Sequence, residues 1–274
     1  MDKAFECVVA HYNEDLSWLE PLSSETIVYS KGRPPCMVDC WRDVQLLPNI
    51  GREAHTYLHH IVECYEHLAE NTLFVQGNVH NSDGKTPPHT DLSAAKMKAE
   101  ALDNTDRSCG FMAFTSQIIE FKEWGGLPWQ DCSSHAWWYY KNGQNMAKAE
   151  MTPAEFWMKF FKVPHPRSVY YVSGSVFAVN ATKIRSRPRH FYEELRSVFT
   201  GLNHINPEYG HFMERFWGSI FLDQPGEANE GSRDDCSKVS GTLGLKQRAT
   251  SSSTSVIDER EFGERHLQSR LNGP

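Results

Sequence analysis

Two short stretches of this sequence place carboxylate and amide side chains directly after apolar runs. Asn13, Glu14 and Asp15 follow the apolar residues 5–10, and Gln76 and Gly77 follow residues 72–75. In α/β proteins, ligands bind beyond the carboxyl ends of the parallel strands. We therefore expect these five residues to line a ligand site. The alternative for Asn13 and Asp15 is that they only cap the next helix.

A further carboxylate lies inside an aromatic-rich segment near the end of the apolar part of the chain. Glu214 sits within residues 211–221, which we predict to form an apolar helix. A carboxylate in such surroundings must be paired or must have a shifted pKa, and a shifted pKa suits a catalytic acid or base. Arg215 is its neighbour, but adjacent residues of a helix do not face each other. Glu214 is therefore our candidate general base.

A glycine flanked by serines interrupts the second clear strand. Ser173 and Ser175 enclose Gly174 within the β-type run 169–179. Glycine inside a strand indicates a close approach of the backbone to another group, so we predict both serines to contact substrate. Ser175 could also be a nucleophile. However, the sequence lacks the G-x-S-x-G elbow, and a serine in a strand bend usually forms only a structural hydrogen bond.

The most basic segment before residue 223 follows this strand. Lys183, Arg185, Arg187 and Arg189 alternate with other residue types over 183–190. Such a segment is typical of a rim that binds phosphates, whereas the plainer interpretation is the solvated start of a helix.

The elements that position these residues are predicted most clearly by residues 46–77. Apolar residues recur at helical spacing from Ala54 to Leu68, after a turn in which Asn49 is the expected cap, and Arg52 and Glu53 open this helix. The buried strand 72–76 follows at once. A helix that leads into a buried strand is half of an α/β unit. We predict a single three-layer α/β domain with a mostly parallel central sheet.

Composition and charge set the domain limits and the broad class. The 274 residues include 39% hydrophobic and 12% aromatic residues, carry a formal charge of −7, and contain seven cysteines without a C-x-x-C pair. We predict a domain over residues 1–222 and a polar, disordered tail over 223–274. Neither a membrane span nor a signal peptide is evident, so we expect a cytoplasmic protein without a disulfide framework.

Several common cofactor motifs are absent from the sequence. There is no G-x-G-x-x-G, H-E-x-x-H, Walker or D-x-D sequence. Their absence argues against NAD binding, zincin-type hydrolysis and standard NTPase chemistry. His55 and His59 are four residues apart, but without an accompanying carboxylate they are a weak metal signal. We predict neither a cofactor nor a metal.

Several motifs together resemble a large fungal family of small proteins that is labelled only as a domain of unknown function. They are VVAHYNEDLSWL, LPNIGREAHTYL, FVQG, the Y-x-x-G-x-x-F-x-V strand before R-P-x-x-F-Y, and YGHFMERFW, and they extend over residues 5–221. The layout is also similar to that of GT-A nucleotide-sugar glycosyltransferases. This chain has Gln76-Gly77-Asn78 where those enzymes carry D-x-D, which argues against their metal-dependent nucleotide site.

The sequence further resembles the arginine-containing cyclodipeptide synthases of fungal secondary metabolism, which join two aminoacyl groups delivered by tRNA. This resemblance implies that Glu14, Asp15 or Glu53 pairs with an arginyl guanidinium. Glu214 would act as the general base, and the basic segment would hold the phosphates of arginyl-tRNA and of a second aminoacyl-tRNA. The aromatic residues would accept the second amino acid.

Two other functions stay open at this point. In a sugar transferase, Asp15 and Arg52 would contact a nucleotide sugar and Glu214 would deprotonate the acceptor hydroxyl. A non-catalytic interaction module would use the aromatic surface instead. The predicted catalytic residues are thus Glu214, Asp15 and Glu14, and the sequence does not indicate an oligomeric state.

Overall fold

The computed structural model of the protein describes residues 3–36, 38–81, 88–105, 110–114, 118–121, 123–124, 127–128, 145–164 and 169–222. The predicted disordered tail, residues 223–274, lies outside this part. So do residues 129–144 of the aromatic-rich segment.

Ten strands are described, and six of them form the main sheet. Strands β1 to β5 are Phe5–His11, Thr26–Ser30, Asp43–Leu46, Asn71–Gln76 and Phe111–Ala113. Strands β6 to β10 are Ile118–Phe121, Glu123–Trp124, Leu127–Pro128, Val169–Val172 and Phe177–Asn180. The order in the main sheet is β3-β2-β1-β4-β10-β5. The first four strands pair in parallel, whereas β10 is antiparallel to β4 and β5.

Six α-helices complete the described part. Helices α1 to α3 are Arg52–Glu63, Ala94–Thr105 and Pro153–Phe161, and α4 to α6 are Ala181–Arg185, Arg189–Leu202 and Glu208–Phe221. Short 3-10 segments cover Ser17–Glu25, Val38–Cys40 and Ser173–Ser175. None of the helices in the described ranges is long and apolar enough to cross a bilayer.

Alternate side chains of the central strand enter two different cores. Val8 of β1 packs with residues of α1, α3, α5 and α6. Cys7 and Val9 pack on the other face of the sheet, with residues of the 17–25 segment and of α2. A strand with helices against both faces has both sets of its side chains buried. The predicted three-layer α/β domain with a mostly parallel sheet is confirmed.

Helix α1 carries the predicted apolar stripe and begins at the predicted Arg52, but its cap and its C-terminal end differ from the prediction. The stripe from Ala54 to Val62 is buried, and the helix ends at Glu63 instead of continuing to Leu68. Asn49 does not cap the helix. The chain enters α1 through Gly51, which has a left-handed backbone at φ 63°, and no side chain caps this end.

The predicted interruption at Gly174 divides one apolar run between two sheets. Strand β9 pairs with β6, whereas β10 joins the main sheet beside β4. Gly174 lies between them at φ 71°, a left-handed conformation that glycine adopts without steric penalty. The bend places the peptide at Gly174 next to the carboxyl end of β4.

The described aromatic side chains of α3 and α6 form one packed layer. Phe156 stacks on Phe216 with ring centroids 5.7 Å apart, and Trp157 meets the same ring edge-on at 5.2 Å. All three side chains are fully buried. In this part of the chain the aromatic density serves core packing, and the layer fixes α6 against the sheet.

Candidate functional site

Polar side chains from distant parts of the chain meet beyond the carboxyl ends of the parallel strands. We define the carboxyl-edge cluster as Arg52, Glu53, Gln76, Gly174, His211 and Glu214. Arg52 and Glu53 begin α1, Gln76 ends β4, and His211 and Glu214 lie on α6. This is the edge at which α/β folds bind their ligands.

A chain of three contacts connects the cluster. Arg52 Nη1 lies 3.3 Å from His211 Nε2, and His211 Nδ1 lies 3.2 Å from Glu214 Oε2. The backbone N–H of Gly174 donates to Glu214 Oε1 at 3.2 Å. A guanidinium can only donate, so His211 Nε2 accepts from Arg52 and its Nδ1–H donates to Glu214. The contacts therefore select one tautomer of a neutral imidazole.

Glu214 is a buried carboxylate that keeps its charge. Burial favours its neutral form, but four effects outweigh burial and hold the pKa of Glu214 well below its usual range: the hydrogen bond from His211, the charge of the protonated form of that imidazole, and the charges of Arg52 and Arg215. The Arg215 guanidinium lies 3.9 Å from the carboxylate. A group with so low a pKa is a weak proton acceptor near neutral pH. The geometry favours His211 as the acceptor, with Glu214 orienting it.

The bend at Gly174 is held from three sides. Gln76 Nε2 donates to the Gly174 carbonyl at 2.5 Å, and Glu214 accepts from its N–H. A Cβ built on Gly174 would lie 2.2 Å from His89 Nδ1, so the imidazole of His89 packs directly on the glycine. Burial lowers the pKa of His89, although the charges of Glu214 and Glu53 oppose this effect. His89 is therefore part of the electrostatic surroundings of the cluster.

A buried lysine lies beneath the start of α1. Lys31 Nζ donates to the Ile50 carbonyl at 2.6 Å and, at a shorter distance, to the Arg52 carbonyl. Burial lowers the pKa of Lys31 to about 7, while the nearby Glu53 acts in the opposite direction. Lysines with such a pKa gain and lose a proton in the physiological range.

Of the three predicted residues after β1, one lies against the end of β4. Glu14 Oε2 accepts from the Tyr12 N–H at 2.5 Å, and a Cβ on Gly77 would lie 2.6 Å from the same oxygen. Glu14 is half-buried and borders the cluster beside Gln76.

Asn13 and Asp15 have mainly local contacts. Asn13 Oδ1 accepts from the Arg33 N–H at 2.7 Å, and Asp15 is exposed and accepts from the Ser17 N–H at 2.9 Å and the Ser17 hydroxyl at 2.8 Å. These hydrogen bonds hold the pKa of Asp15 below its usual value. Within the described ranges, neither side chain has a hydrogen bond to the cluster. Asp15 thus holds a local turn before Ser17, but the predicted capping is not observed, because Leu16 precedes the 17–25 segment and no side chain caps it.

Of the two serines around Gly174, only Ser175 has a described side chain. The side chain of Ser173 lies outside the described part of the chain. Ser175 is fully buried at φ 53°, and its hydroxyl has no hydrogen-bond partner among the described residues. A serine nucleophile needs an adjacent base, and none of the described side chains supplies one.

The basic segment lies at the opposite edge of the sheet. Asn180, which precedes α4, pairs with Asn71 at the amino end of β4, whereas Gln76 ends the strand at the cluster. Arg187 Nε donates to the Ile220 carbonyl at 2.9 Å, and Arg185 Nε donates to the Tyr65 carbonyl at 3.2 Å.

Arg189 and Lys183 of this segment also have local contacts. Arg189 forms an exposed ion pair with Glu193 at 3.0 Å. Lys183 is half-buried, and its N–H donates to the capping side chain of Asn180. About 20 Å of strand separates the segment from the cluster, at roughly 3.3 Å per residue.

Six described non-glycine residues have positive φ angles, and two of them lie at the cluster. Arg52 at φ 50° is a member and Ser175 at φ 53° follows Gly174, whereas the others are Asn13, Asn81, Lys162 and Asn203. Left-handed non-glycine residues are strained, and such strain is typical of functional sites. Among the described residues, no group of three or more His, Cys, Asp and Glu side chains is arranged to hold a metal ion.

Sequence reasoning missed three residues of this region. His211 precedes Glu214 by three positions on a helix, a spacing that puts both on one face and would have identified the pair. Lys31 directly follows β2, so its position at a carboxyl end was a usable signal. His89 follows a long polar loop, and no sequence pattern indicates its contact with Gly174.

One protein family is matched by this chain. The family model described as "Protein of unknown function (DUF3431)" matches residues 7–238, which covers most of the sequence and all of the cluster. No curated protein and no solved structure matches the chain.

Proposed function

Because the chain belongs to the DUF3431 family, whose description names no activity, we propose a function from the carboxyl-edge cluster itself. The protein is a group-transfer enzyme of fungal secondary metabolism that joins two aminoacyl groups, delivered as aminoacyl-tRNA, into an arginine-containing cyclodipeptide. The observation that carries this proposal is the chain of contacts from Arg52 through His211 to Glu214.

The contacts suit the proton transfers of aminolysis. Neutral His211 has the proton on Nδ1, where ionised Glu214 holds it, so Nε2 is the basic nitrogen. In the free protein Arg52 donates to this nitrogen. A substrate amine replaces Arg52 there, and the guanidinium then donates to the oxygen that becomes negatively charged.

Two rounds of the same chemistry give the product. In the first, the α-amine of one aminoacyl-tRNA attacks the ester carbonyl carbon of the other, and His211 Nε2 accepts a proton from the amine. The new C–N bond replaces the bond from that carbon to the ribose oxygen, which takes the proton from His211. In the second, the free amine of the resulting dipeptidyl-tRNA attacks its own ester in the same way. The ring closes and the second tRNA leaves.

Glu14 is the proposed partner of the arginyl guanidinium. Of the carboxylates predicted for this role, Glu53 is buried and faces Arg52 at 3.5 Å, and Asp15 caps a turn. Glu14 is half-buried beside Gly77, whose carbonyl accepts from the indole N–H of Trp18 at 2.9 Å. A carboxylate with an aromatic ring nearby binds a guanidinium by ion pairing and by cation–π contact.

The basic segment is the proposed contact for the tRNA away from its aminoacyl end. Arg185 and Arg189 are exposed. The length of strand β4, about 20 Å, separates their segment from the cluster. An acceptor stem that crosses the domain can place its phosphates at one edge of the sheet and its ester at the other.

Product analysis with matched variants tests the proposal. The chain is produced in a bacterial host, and the medium is analysed by mass spectrometry for new arginine-bearing diketopiperazines. We expect a product from the wild type that disappears in His211→Asn and Glu214→Gln. Glu100→Gln, which alters only the ion pair with Lys96 on α2, is the control and keeps the product. A wild-type medium without any new cyclic dipeptide contradicts the proposal.

A nucleotide-sugar transferase is the second candidate, and one observation favours it. Helix α1 begins at the cluster with Arg52 and without a side-chain cap, and such an end suits the phosphates of a nucleotide. Isothermal titration of the purified protein with nucleotide sugars separates the two functions. Binding that Arg52→Gln removes supports the sugar transferase.

A further inference from the structure

Lys31 connects the end of one parallel strand to the start of α1. Its backbone N–H donates to the His11 carbonyl at 2.9 Å, so the residue continues the pairing of β2 with β1. Its side chain then donates to the carbonyls of Ile50 and Arg52, on either side of Gly51. The lysine thus holds the carbonyls on both sides of Gly51 with one ammonium group.

The turn that Lys31 holds has an unfavourable backbone. Gly51 and Arg52 are consecutive left-handed residues, at φ 63° and 50°. The Gly51 N–H donates to the His204 carbonyl at 2.9 Å, and no side chain caps α1. A non-glycine residue stays left-handed only where its surroundings hold it. The Ile50 N–H also donates to the Pro48 carbonyl at 2.8 Å, and the Gly51 carbonyl accepts from the His55 N–H at 3.1 Å. The two hydrogen bonds from Lys31 add the side-chain restraint on the carbonyls of Ile50 and Arg52.

We propose that Lys31 is a positioning residue, which holds the Ile50–Arg52 turn in its left-handed form and thereby aims the Arg52 guanidinium at His211. The inference rests on the proposed function, because it assigns Lys31 to the same reaction. Lys31 itself does not touch the reacting atoms. Its influence passes through the backbone of Arg52 to the side chain that stabilises the negative oxygen.

The charged groups around Lys31 are consistent with this role. Glu53 favours its ammonium form, and Arg52 disfavours it. His55 lies on the next turn of α1. Burial lowers the pKa of its imidazole, and the positive charge of Lys31 lowers this pKa further. The carboxylate of Glu53 and the guanidinium of Arg52 thus shift the pKa of Lys31 in opposite directions.

Hydrogen exchange measures the turn without any substrate. Wild type, Lys31→Met and the control Lys96→Met are compared by mass spectrometry of peptides that cover residues 46–56. Lys96 is an exposed lysine paired with Glu100, so its replacement removes a lysine without touching the turn. We expect exchange in this segment to be about tenfold faster in Lys31→Met, and unchanged in the control. Peptides from β4 report whether the domain stays folded.

A cycle of variants tests the route through Arg52. Product formation is compared for Lys31→Met, Arg52→Gln and the double variant. We expect each single change to lower the product strongly, and Lys31→Met to have little further effect once Arg52 is replaced, because coupled residues are not additive.

Three outcomes overturn the inference. Unchanged exchange over residues 46–56 in a folded Lys31→Met protein is the first, and additive losses in the cycle are the second. If Lys31→Met does not fold, Lys31→Gln, which keeps an N–H donor group, replaces it. The third outcome is that neither variant folds, which would mean that Lys31 supports the whole domain instead of the turn. A wild type without product contradicts the proposed function alone, because the exchange experiment still decides whether Lys31 holds the turn.

Discussion

Two buried carboxylates, Glu6 and Glu214, are each paired with a histidine, and the two pairs differ in what surrounds them. Glu6 accepts from His60 Nε2 at 3.0 Å deep between α1 and the sheet. Glu214 accepts from His211 at the carboxyl edge, within reach of two arginines. The first pair is enclosed by the core, whereas the second lies in the carboxyl-edge cluster. The same residue types therefore contribute to stability in one position and have a proposed role in chemistry in the other.

The Glu6–His60 pair predicts a pH-dependent stability. Burial lowers the pKa of His60, but hydrogen bonds to Cys64 and Glu6 raise it more, to about 9. A histidine with a raised pKa contributes its full stability below the unfolded pKa of 6.5, and this contribution is lost as the pH rises through 9. We expect His60→Gln to lower the unfolding free energy by about 3 kcal/mol at pH 6, and by much less above pH 9.

Thermal unfolding of both proteins over this pH range checks that prediction. His67→Gln is the matched control, because this histidine is exposed and lies outside the core. A stability difference between wild type and His60→Gln that stays constant from pH 6 to pH 10 contradicts it.

The residue types of the cluster were predictable in part. Glu214 was identified because a charge within an apolar helix needs a partner, and Arg52 was named as a possible nucleotide contact at the start of its helix. Their partner His211 and the buried Lys31 were missed, although the spacing of His211 and Glu214 on one helix and the position of Lys31 after β2 were usable signals. The assignment of base catalysis to Glu214 also depended on a pKa, and a sequence does not reveal the arginines that lower it.

At the scale of elements, the bend between β9 and β10 gives a sharp test. Gly174→Ala adds a Cβ in a left-handed conformation, 2.2 Å from the ring of His89. The new atom displaces His89 or the bend, and with it the N–H that binds Glu214. We expect a loss of about 2 kcal/mol in unfolding free energy and a strong loss of product.

Gly201→Ala is the control for this change. Gly201 lies in α5 with nothing within 4 Å of the added atom. In a helix this substitution stabilises by up to about 1 kcal/mol. Urea denaturation followed by circular dichroism compares the two variants. If Gly174→Ala lowers stability and product no more than Gly201→Ala does, the backbone at Gly174 is not constrained.

Sequence patterns predicted the elements better than their ends. The stripe of α1 was visible because burial of one face imposes a helical spacing. Its start at Arg52 was predicted as well, but the left-handed turn at Gly51 was not, because that turn is held by Lys31 from the segment after β2. The run 169–179 showed a break at Gly174, but an apolar run does not indicate that its two halves enter different sheets.

On the scale of the whole molecule, the two edges of the sheet have different proposed partners. Replacing Arg185 and Arg189 by Glu reverses two exposed charges far from the cluster. We expect binding of aminoacyl-tRNA to weaken by about tenfold at low salt and to depend less on salt, because fewer phosphates are neutralised.

Filter binding at several salt concentrations measures this effect. Lys96→Glu, together with Lys159→Glu, is the control that changes the net charge equally at exposed helix positions. Equal weakening in both double variants contradicts a specific contact, and points to the overall charge alone.

The fold class followed from the alternation of helices and apolar strands, but the strand order did not. A mostly parallel central sheet was expected, but strand β3, Asp43–Leu46, was not among the predicted strands. The antiparallel β10 between β4 and β5 was not expected either, because the direction of a short buried strand leaves no trace in its composition. Its position matters, since it brings Gly174 beside Gln76.

The cluster also bears on how the chain is made. Its contacts span long stretches of sequence, 159 residues between Arg52 and His211 and 98 between Gln76 and Gly174. Contacts between distant residues form late, because a long loop must close first. A chain growing on the ribosome completes the parallel strands early and α6 last among the described elements. The proposed enzyme is therefore expected to be inactive until synthesis has passed residue 221, and a chain that ends before α6 is not expected to carry out the reaction.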